Sequence, residues 1–126
     1  TYTAIVDGKL KQLSGEIDSP LIGDWERRPI QKVCFDSGKA ALTYYCSIEY
    51  DAVNDWTRVS LAPKTGRSHQ LRVHMLALGH PIIGDFFYAP KPILAKSARL
   101  LLHANQLGFE HPFLDKTIDV RSKVSF

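Results

Sequence analysis

Only two cysteines, Cys34 and Cys46, occur in 126 residues, and neither has a close Cys or His neighbour of zinc-ribbon spacing. A disulfide-built scaffold is excluded by that count; reduced thiols are expected, with a single disulfide as the alternative. Long apolar runs are also missing: charges or prolines interrupt every candidate well short of the roughly 20 residues of a membrane-spanning helix. No basic-then-apolar leader opens the sequence. A soluble cytoplasmic domain with no membrane partner is therefore expected. Two catalytic patterns are absent as well, the Gly-x-Ser-x-Gly elbow and the Walker-type phosphate loop.

What remains is ordinary globular material, 44% hydrophobic and 23% charged, of a length that fits one domain with a genuine core. The sequence opens with Thr1 inside a strand-like run, Tyr2–Val6, which suggests a fragment. Charge is uneven. Residues 1–55 carry six Lys/Arg against nine Asp/Glu, whereas residues 56–109 carry seven Lys/Arg against the single acid Asp85. Four of the five histidines share that basic stretch. Such a segment suits a polyanion, although a solvated basic face without a partner would read the same way.

Hydrophobic periodicity predicts an α+β fold with a mostly antiparallel mixed sheet and one buried helix. Tyr2–Val6 ends at Asp7-Gly8, which predicts a hairpin with a return strand near Lys11–Ile17. Residues 18–39, rich in proline, glycine and charge, read as a long loop. Leu42–Tyr50 and Thr57–Leu61 form a second hairpin. The helix spans 68–78, with Leu71, Met75 and Leu78 at helical spacing, Gly79 as a stop and Pro81 beyond it. Short strands are expected at His80–Ile83, Leu100–Leu107 and Thr117–Val120.

A metal site is not expected. His69 and His74 are five apart, about 140° around a helix, unlike the one-face pair of zinc proteases. More informative is the run Lys64-Thr65-Gly66-Arg67-Ser68-His69-Gln70-Leu71-Arg72, which sets a glycine turn and an arginine at the entry to an apolar helix. Free N–H groups at a helix start and an arginine fork both favour an anion; a structural turn with an incidental arginine is the other reading. His69, Gln70, His74 and His103 read as scaffold hydrogen-bonders, since buried polar groups need partners.

The run from Thr65 to His74, followed by Gly79-His80-Pro81-Ile82-Ile83-Gly84-Asp85 and Tyr88, resembles the third signature of the RluA family of RNA pseudouridine synthases. Tyr2-Thr3-Ala4-Ile5-Val6-Asp7-Gly8 resembles its Tyr-x-Ala-x-Val-x-Gly motif, and Lys39-Ala40-Ala41-Leu42-Thr43-Tyr44-Tyr45 its Lys-x-Ala-x-Thr-x-Tyr strand. Arg99–Ala104 with His111-Pro112 resembles its late strand. Arg27-Arg28-Pro29 and Gln31–Cys34 are most similar to the branch that modifies both ribosomal and transfer RNA.

The resemblance implies the pseudouridine synthase catalytic fold, RNA as partner, no cofactor, no metal and a monomeric full-length protein. It also implies a nucleophilic aspartate in a His-Arg-Leu-Asp motif, and none of the nine aspartates here has those neighbours. Residues 1–126 are accordingly expected to be the C-terminal portion of one catalytic domain, inactive alone. By the same resemblance, Tyr2 stacks on the uracil and can take or relay the proton of carbon 5. Arg67 pairs with the missing aspartate. Leu102 walls the uracil pocket, with a plain core leucine as the alternative. Lys64, Arg72 and Arg99 are candidate phosphate contacts, although Arg72 could equally be a buried structural partner. A non-catalytic RNA-binding module on the same scaffold is the alternative function.

Overall fold

The computed structural model describes residues 1–105. Its centre is a five-stranded antiparallel sheet of order β2-β5-β6-β1-β7, built from β1 (Tyr2–Asp7), β2 (Ser14–Asp18), β5 (Leu42–Asp51), β6 (Trp56–Pro63) and β7 (Leu102–Ala104). A small second sheet joins β3 (Leu21–Gly23) to β4 (Gln31–Val33). Helix α1 (Gln70–Leu78) and a short α2 (Lys91–Leu94) complete the elements. The α+β class and the antiparallel sheet are as the periodicity predicts.

β1 lies inside the sheet, with Tyr2 opposite Leu61 on β6 and Ala104 on β7. Its four consecutive buried residues, Thr3–Val6, explain the position, because a strand covered on both faces needs neighbours on both edges. On one face Ala4, Val6, Val59 and Leu61 pack against Leu71 and Met75 of α1. On the other, Ile5 packs with Ile83 and Leu101. β6 alternates as a half-buried strand should, with Thr57, Val59 and Leu61 inward. β5 does the same until Ile48, the extra residue at a register shift between Ser47 and Glu49, which leaves it half-exposed.

Three expectations are corrected. The Asp7-Gly8 turn exists, with Gly8 at φ 77°, but the chain does not return beside β1; β2 pairs with β5 instead. β2 buries a single apolar side chain, Ile17, which suits a sheet edge and not a place beside the core strand. The segment 18–39 is no plain loop: β3, a one-turn 3₁₀ segment at Trp25–Arg27 and β4 form a compact hairpin. Leu21 anchors it, buried and bridged to Lys39. His80–Ile83 makes only an isolated bridge, Ile82 to Val6, because Gly84 at φ 81° turns the chain immediately afterwards. The expected helix and the second hairpin are present, and the strand near Leu100 is shorter, at Leu102–Ala104. The strand expected at Thr117–Val120 and the pair His111-Pro112 lie outside the described residues.

No helix among the described residues is long and apolar enough to cross a membrane. They also hold no group of three or more His, Cys, Asp or Glu arranged for a metal ion.

Candidate active site

The start of β1, the end of β6 and the entry to α1 meet at one end of the sheet. A cleft of about 240 Å³ opens there, lined by Tyr2, Thr65, Gly66, Arg67, Arg72 and Leu102 among others. Four of the six candidate residues named from the sequence thus share one cavity, although up to a hundred positions separate them. Lys64 and Arg99 do not line it. Lys64 is exposed, with its Nζ 5.6 Å from the Tyr44 ring centroid on the outer face of β5. Arg99 lies off the cleft, with its carbonyl against Gly84.

The turn before α1 is held by one side chain. Gln70 is almost fully buried, and its Oε1 accepts from the Thr65 hydroxyl (2.6 Å) and from the Arg67 N–H (3.1 Å). Its Nε2 donates to the Leu42 carbonyl and to Thr43 Oγ1, both at 2.9 Å. All four hydrogen-bonding positions of the amide are in use. Thr43 Oγ1, having accepted from Gln70, donates its own proton to His74 Nδ1 at 2.8 Å, and His74 Nε2–H donates to the Ser19 carbonyl. A continuous polar chain therefore runs from the Arg67 turn through the helix to the start of the β3–β4 hairpin. Burial pushes the His74 imidazole below its ordinary pKa, which fits this neutral tautomer.

Arg67 is exposed and anchored by one bond, Nε to the Ala40 carbonyl at 2.8 Å. Among the described residues no carboxylate pairs with it. Its remaining guanidinium N–H groups can serve an anion at the cleft. Arg72 is different. It forms a two-pronged ion pair with Asp85, Nη2–Oδ1 at 2.7 Å and Nε–Oδ2 at 3.1 Å, and Asp85 is fully buried. Phe86, Phe87 and Tyr88 surround the guanidinium with ring centroids 5.1–5.7 Å away. Asp85 Oδ1 also accepts the backbone N–H groups of Phe87 and Tyr88, so Arg72 organises the loop after the helix and edges the cleft at once.

The sequence marks His69 as a scaffold hydrogen-bonder and Tyr88 as part of the third signature, but does not foretell that the two pair at the cleft. His69, at the helix entry, adopts a left-handed φ of 55° that turns its ring toward the cleft and toward Tyr88. The Tyr88 hydroxyl accepts the Gln31 N–H (3.0 Å) and donates to His69 Nδ1 (2.6 Å). Burial lowers the His69 pKa, with the Arg72 cation acting in the same direction, and burial raises that of Tyr88. His69 is thus a neutral imidazole whose Nε2 carries the proton. The spacing of His69 and His74 carried no hint of this; only the Tyr88 of the third signature did. Of the four expected scaffold groups, His103 departs, since its Nε2 is buried with no hydrogen-bond partner among the described residues.

Comparison with known proteins gives a consistent answer. Residues 1–77 match the model of the RNA pseudouridylate synthase family. The chain is 54% identical over 125 residues to the dual-specificity RNA pseudouridine synthase RluA of Pasteurella multocida, covering 99% of this chain and 57% of that protein. It is 52% identical to the Yersinia pestis protein of the same name over 126 residues, covering 100% and 61%. The Escherichia coli K12 protein is 51% identical over 125 residues, covering 99% and 57%. The chain therefore spans about three fifths of the length of these curated relatives. Among solved structures, human RNA pseudouridylate synthase domain containing 1 superposes with a TM-score of 0.73 at 31% identity, over 82% of this chain and 46% of that one.

Proposed function

Because this chain belongs to the RNA pseudouridylate synthase family, we propose that it is the C-terminal part of a catalytic domain that isomerises uridine to pseudouridine in ribosomal and transfer RNA. The observation that carries the reading is the convergence of Tyr2, Arg67 and Leu102 on one cleft, with a cation that no carboxylate of the described residues neutralises. A base must leave its stack to enter such a pocket, and an aromatic ring beside an apolar wall is suited to receive it. Tyr2 supplies the ring and Leu102 the wall. Arg67, fixed through Ala40, holds ionised and oriented an aspartate contributed from outside these 126 residues.

The reaction breaks the bond from uracil N1 to the ribose and forms one from carbon 5 to the same ribose carbon, while the carbon-5 proton is lost and N1 gains one. Atoms are only rearranged within one substrate, so no redox cofactor is called for. Tyr2 is the group placed to take or relay the carbon-5 proton. Arg72 acts here chiefly by holding the loop that borders the cleft, and Lys64 and Arg99 contact phosphates away from the reacting base. The same reading places the full-length enzyme in the cytoplasm and takes it to act as a monomer.

Tritium release from RNA labelled at uracil carbon 5 tests this reading. A protein extended upstream to include a His-Arg-Leu-Asp motif should release tritium, and the 126-residue chain should not. In the extended protein Arg67→Ala should cost about a hundredfold or more in rate, the scale of removing one electrostatic donor from a reacting centre. Absence of release from both, on both RNA classes, moves the non-catalytic RNA-binding module ahead. A wild-type rate in Arg67→Ala rejects the role given to that residue.

A further inference from the structure

A second and larger groove, of about 420 Å³, adjoins the cleft and shares Gly66 and Arg67 with it. One wall is the Gly66–Ser68 turn; the other is the β3–β4 hairpin with Ser37 and Lys39. Its floor is apolar, from Leu21 and Ile22, and its rim is polar. That size and mixed lining are those of a small-ligand site.

Lys39 is held in place through its backbone. Its N–H donates to the Leu21 carbonyl and its own carbonyl accepts the Leu21 N–H, at 2.8 and 2.9 Å. Gly38 before it sits so tightly against Cys34 and Pro20 that a Cβ would come within 2.4 Å of the Cys34 carbonyl oxygen. The chain therefore enters Lys39 along one path. Ala40, the next residue, receives the Arg67 Nε, so the two walls are tied together at the junction of groove and cleft. The Lys39 ammonium is exposed and, among the described residues, has no acid partner. Gly66 at the junction leaves open space, with no atom within 4 Å of where its Cβ would stand.

We infer that this groove holds the nucleotide next to the target uridine on the same RNA strand, with its phosphodiester on Lys39, its sugar over Leu21 and Ile22, and the chain passing over Gly66 into the cleft. The inference rests on the function proposed above. An exposed ammonium with no acid partner among the described residues, carried on a backbone held at one position beside an apolar floor, matches a phosphate followed by a sugar, and the missing side chain at Gly66 leaves room for a backbone to cross. The hydroxyls of Ser37 and Ser68 add neutral donors that a phosphodiester can use. Lys39 is thereby a binding residue, not a catalytic one, and its loss should act before chemistry.

The test uses the extended protein and an RNA stem-loop presenting a single-stranded uridine, with binding measured across salt concentrations and tritium release measured in parallel. Lys39→Gln should weaken binding by about tenfold, the effect of losing one charge-assisted contact. It should also lower the slope of log K against log salt by about 0.7 to 0.9, with kcat within about twofold and the loss confined to KM. Lys39→Arg should restore the slope. Lys9→Gln, at the other end of β1 beside Tyr50, removes the same charge and should change neither quantity. A Lys39→Gln slope and affinity equal to those of Lys9→Gln, or a wild-type protein that does not bind the RNA, overturns the groove assignment. A slope change in a protein that releases no tritium would sink the catalytic reading while leaving the groove as an RNA site.

Discussion

Gln70 bears more of the site than any other single side chain. It satisfies Thr65, Arg67, Leu42 and Thr43 at once while nearly fully buried. Gln70→Leu would leave buried donors and acceptors without partners, each costing roughly 1–3 kcal/mol. We expect the variant to lose about 2–4 kcal/mol in urea titration, with the Arg67 turn loosened. A glutamate there would turn a carboxylate oxygen toward two acceptors, the Leu42 carbonyl and Thr43 Oγ1, and should do worse. His74 and His69 make a pH prediction. Both are held below the ordinary imidazole value of 6.5 by burial, so the folded state resists a proton that the unfolded chain accepts. Stability is then full above pH 6.5, falls as pH drops through 6.5, and levels once the folded groups also protonate. Thermal unfolding between pH 8 and pH 5 should show the midpoint falling with acidity, and His74→Asn should flatten part of that slope. A pH-independent midpoint would contradict the neutral assignment.

Among the elements, the turn after α1 is the least replaceable. Gly84 sits at φ 81°, and a Cβ there would lie 1.8 Å from the Arg99 carbonyl oxygen. That turn delivers Asp85 to Arg72 and brings Ile83 between Ile5 and Leu101. Gly84→Ala should displace the Arg99 backbone and destabilise by roughly 3 kcal/mol or more, through backbone strain and a clash no rotamer relieves. Asp85→Asn should cost about 3–5 kcal/mol, because it leaves the mostly buried Arg72 cation without its countercharge. Circular dichroism melts of the two variants check both. If Asp85→Asn melts like wild type, the ion pair is not what holds the loop. The helix and the β5–β6 hairpin were legible because local patterning decides them. The β1–β2 hairpin was misread because a turn signal states where a chain bends and not which strand it then joins.

At the scale of the whole molecule, the basic middle segment divides. Arg67 and Arg72 edge the cleft, with Arg72 neutralised by Asp85, while Lys96 is turned to the opposite end of β1, where its Nζ meets Asp7 Oδ1 at 3.3 Å. Sequence-local charge is therefore not one binding face. Lys96→Glu should leave the salt slope of RNA binding unchanged and shift stability by no more than about 1 kcal/mol, as expected of a partly exposed pair. An altered slope would mean that the RNA path reaches the far end of the sheet. What the sequence determined by itself was whatever is written in short windows. The α+β class, the buried helix, the glycine-and-arginine turn at its entry and the motifs that mark the family all depend on neighbours a few positions apart. The tertiary structure alone decided the strand order, the hairpin inside 18–39, the commitment of Arg72 to Asp85, the His69–Tyr88 pair and the meeting of Tyr2 with Arg67 and Leu102. The strand order and the meeting of Tyr2 with Arg67 and Leu102 join positions far apart in the chain, and such contacts are fixed by which surfaces bury one another; the hairpin and the two side-chain pairs span shorter stretches but depend on partners that no repeating pattern marks.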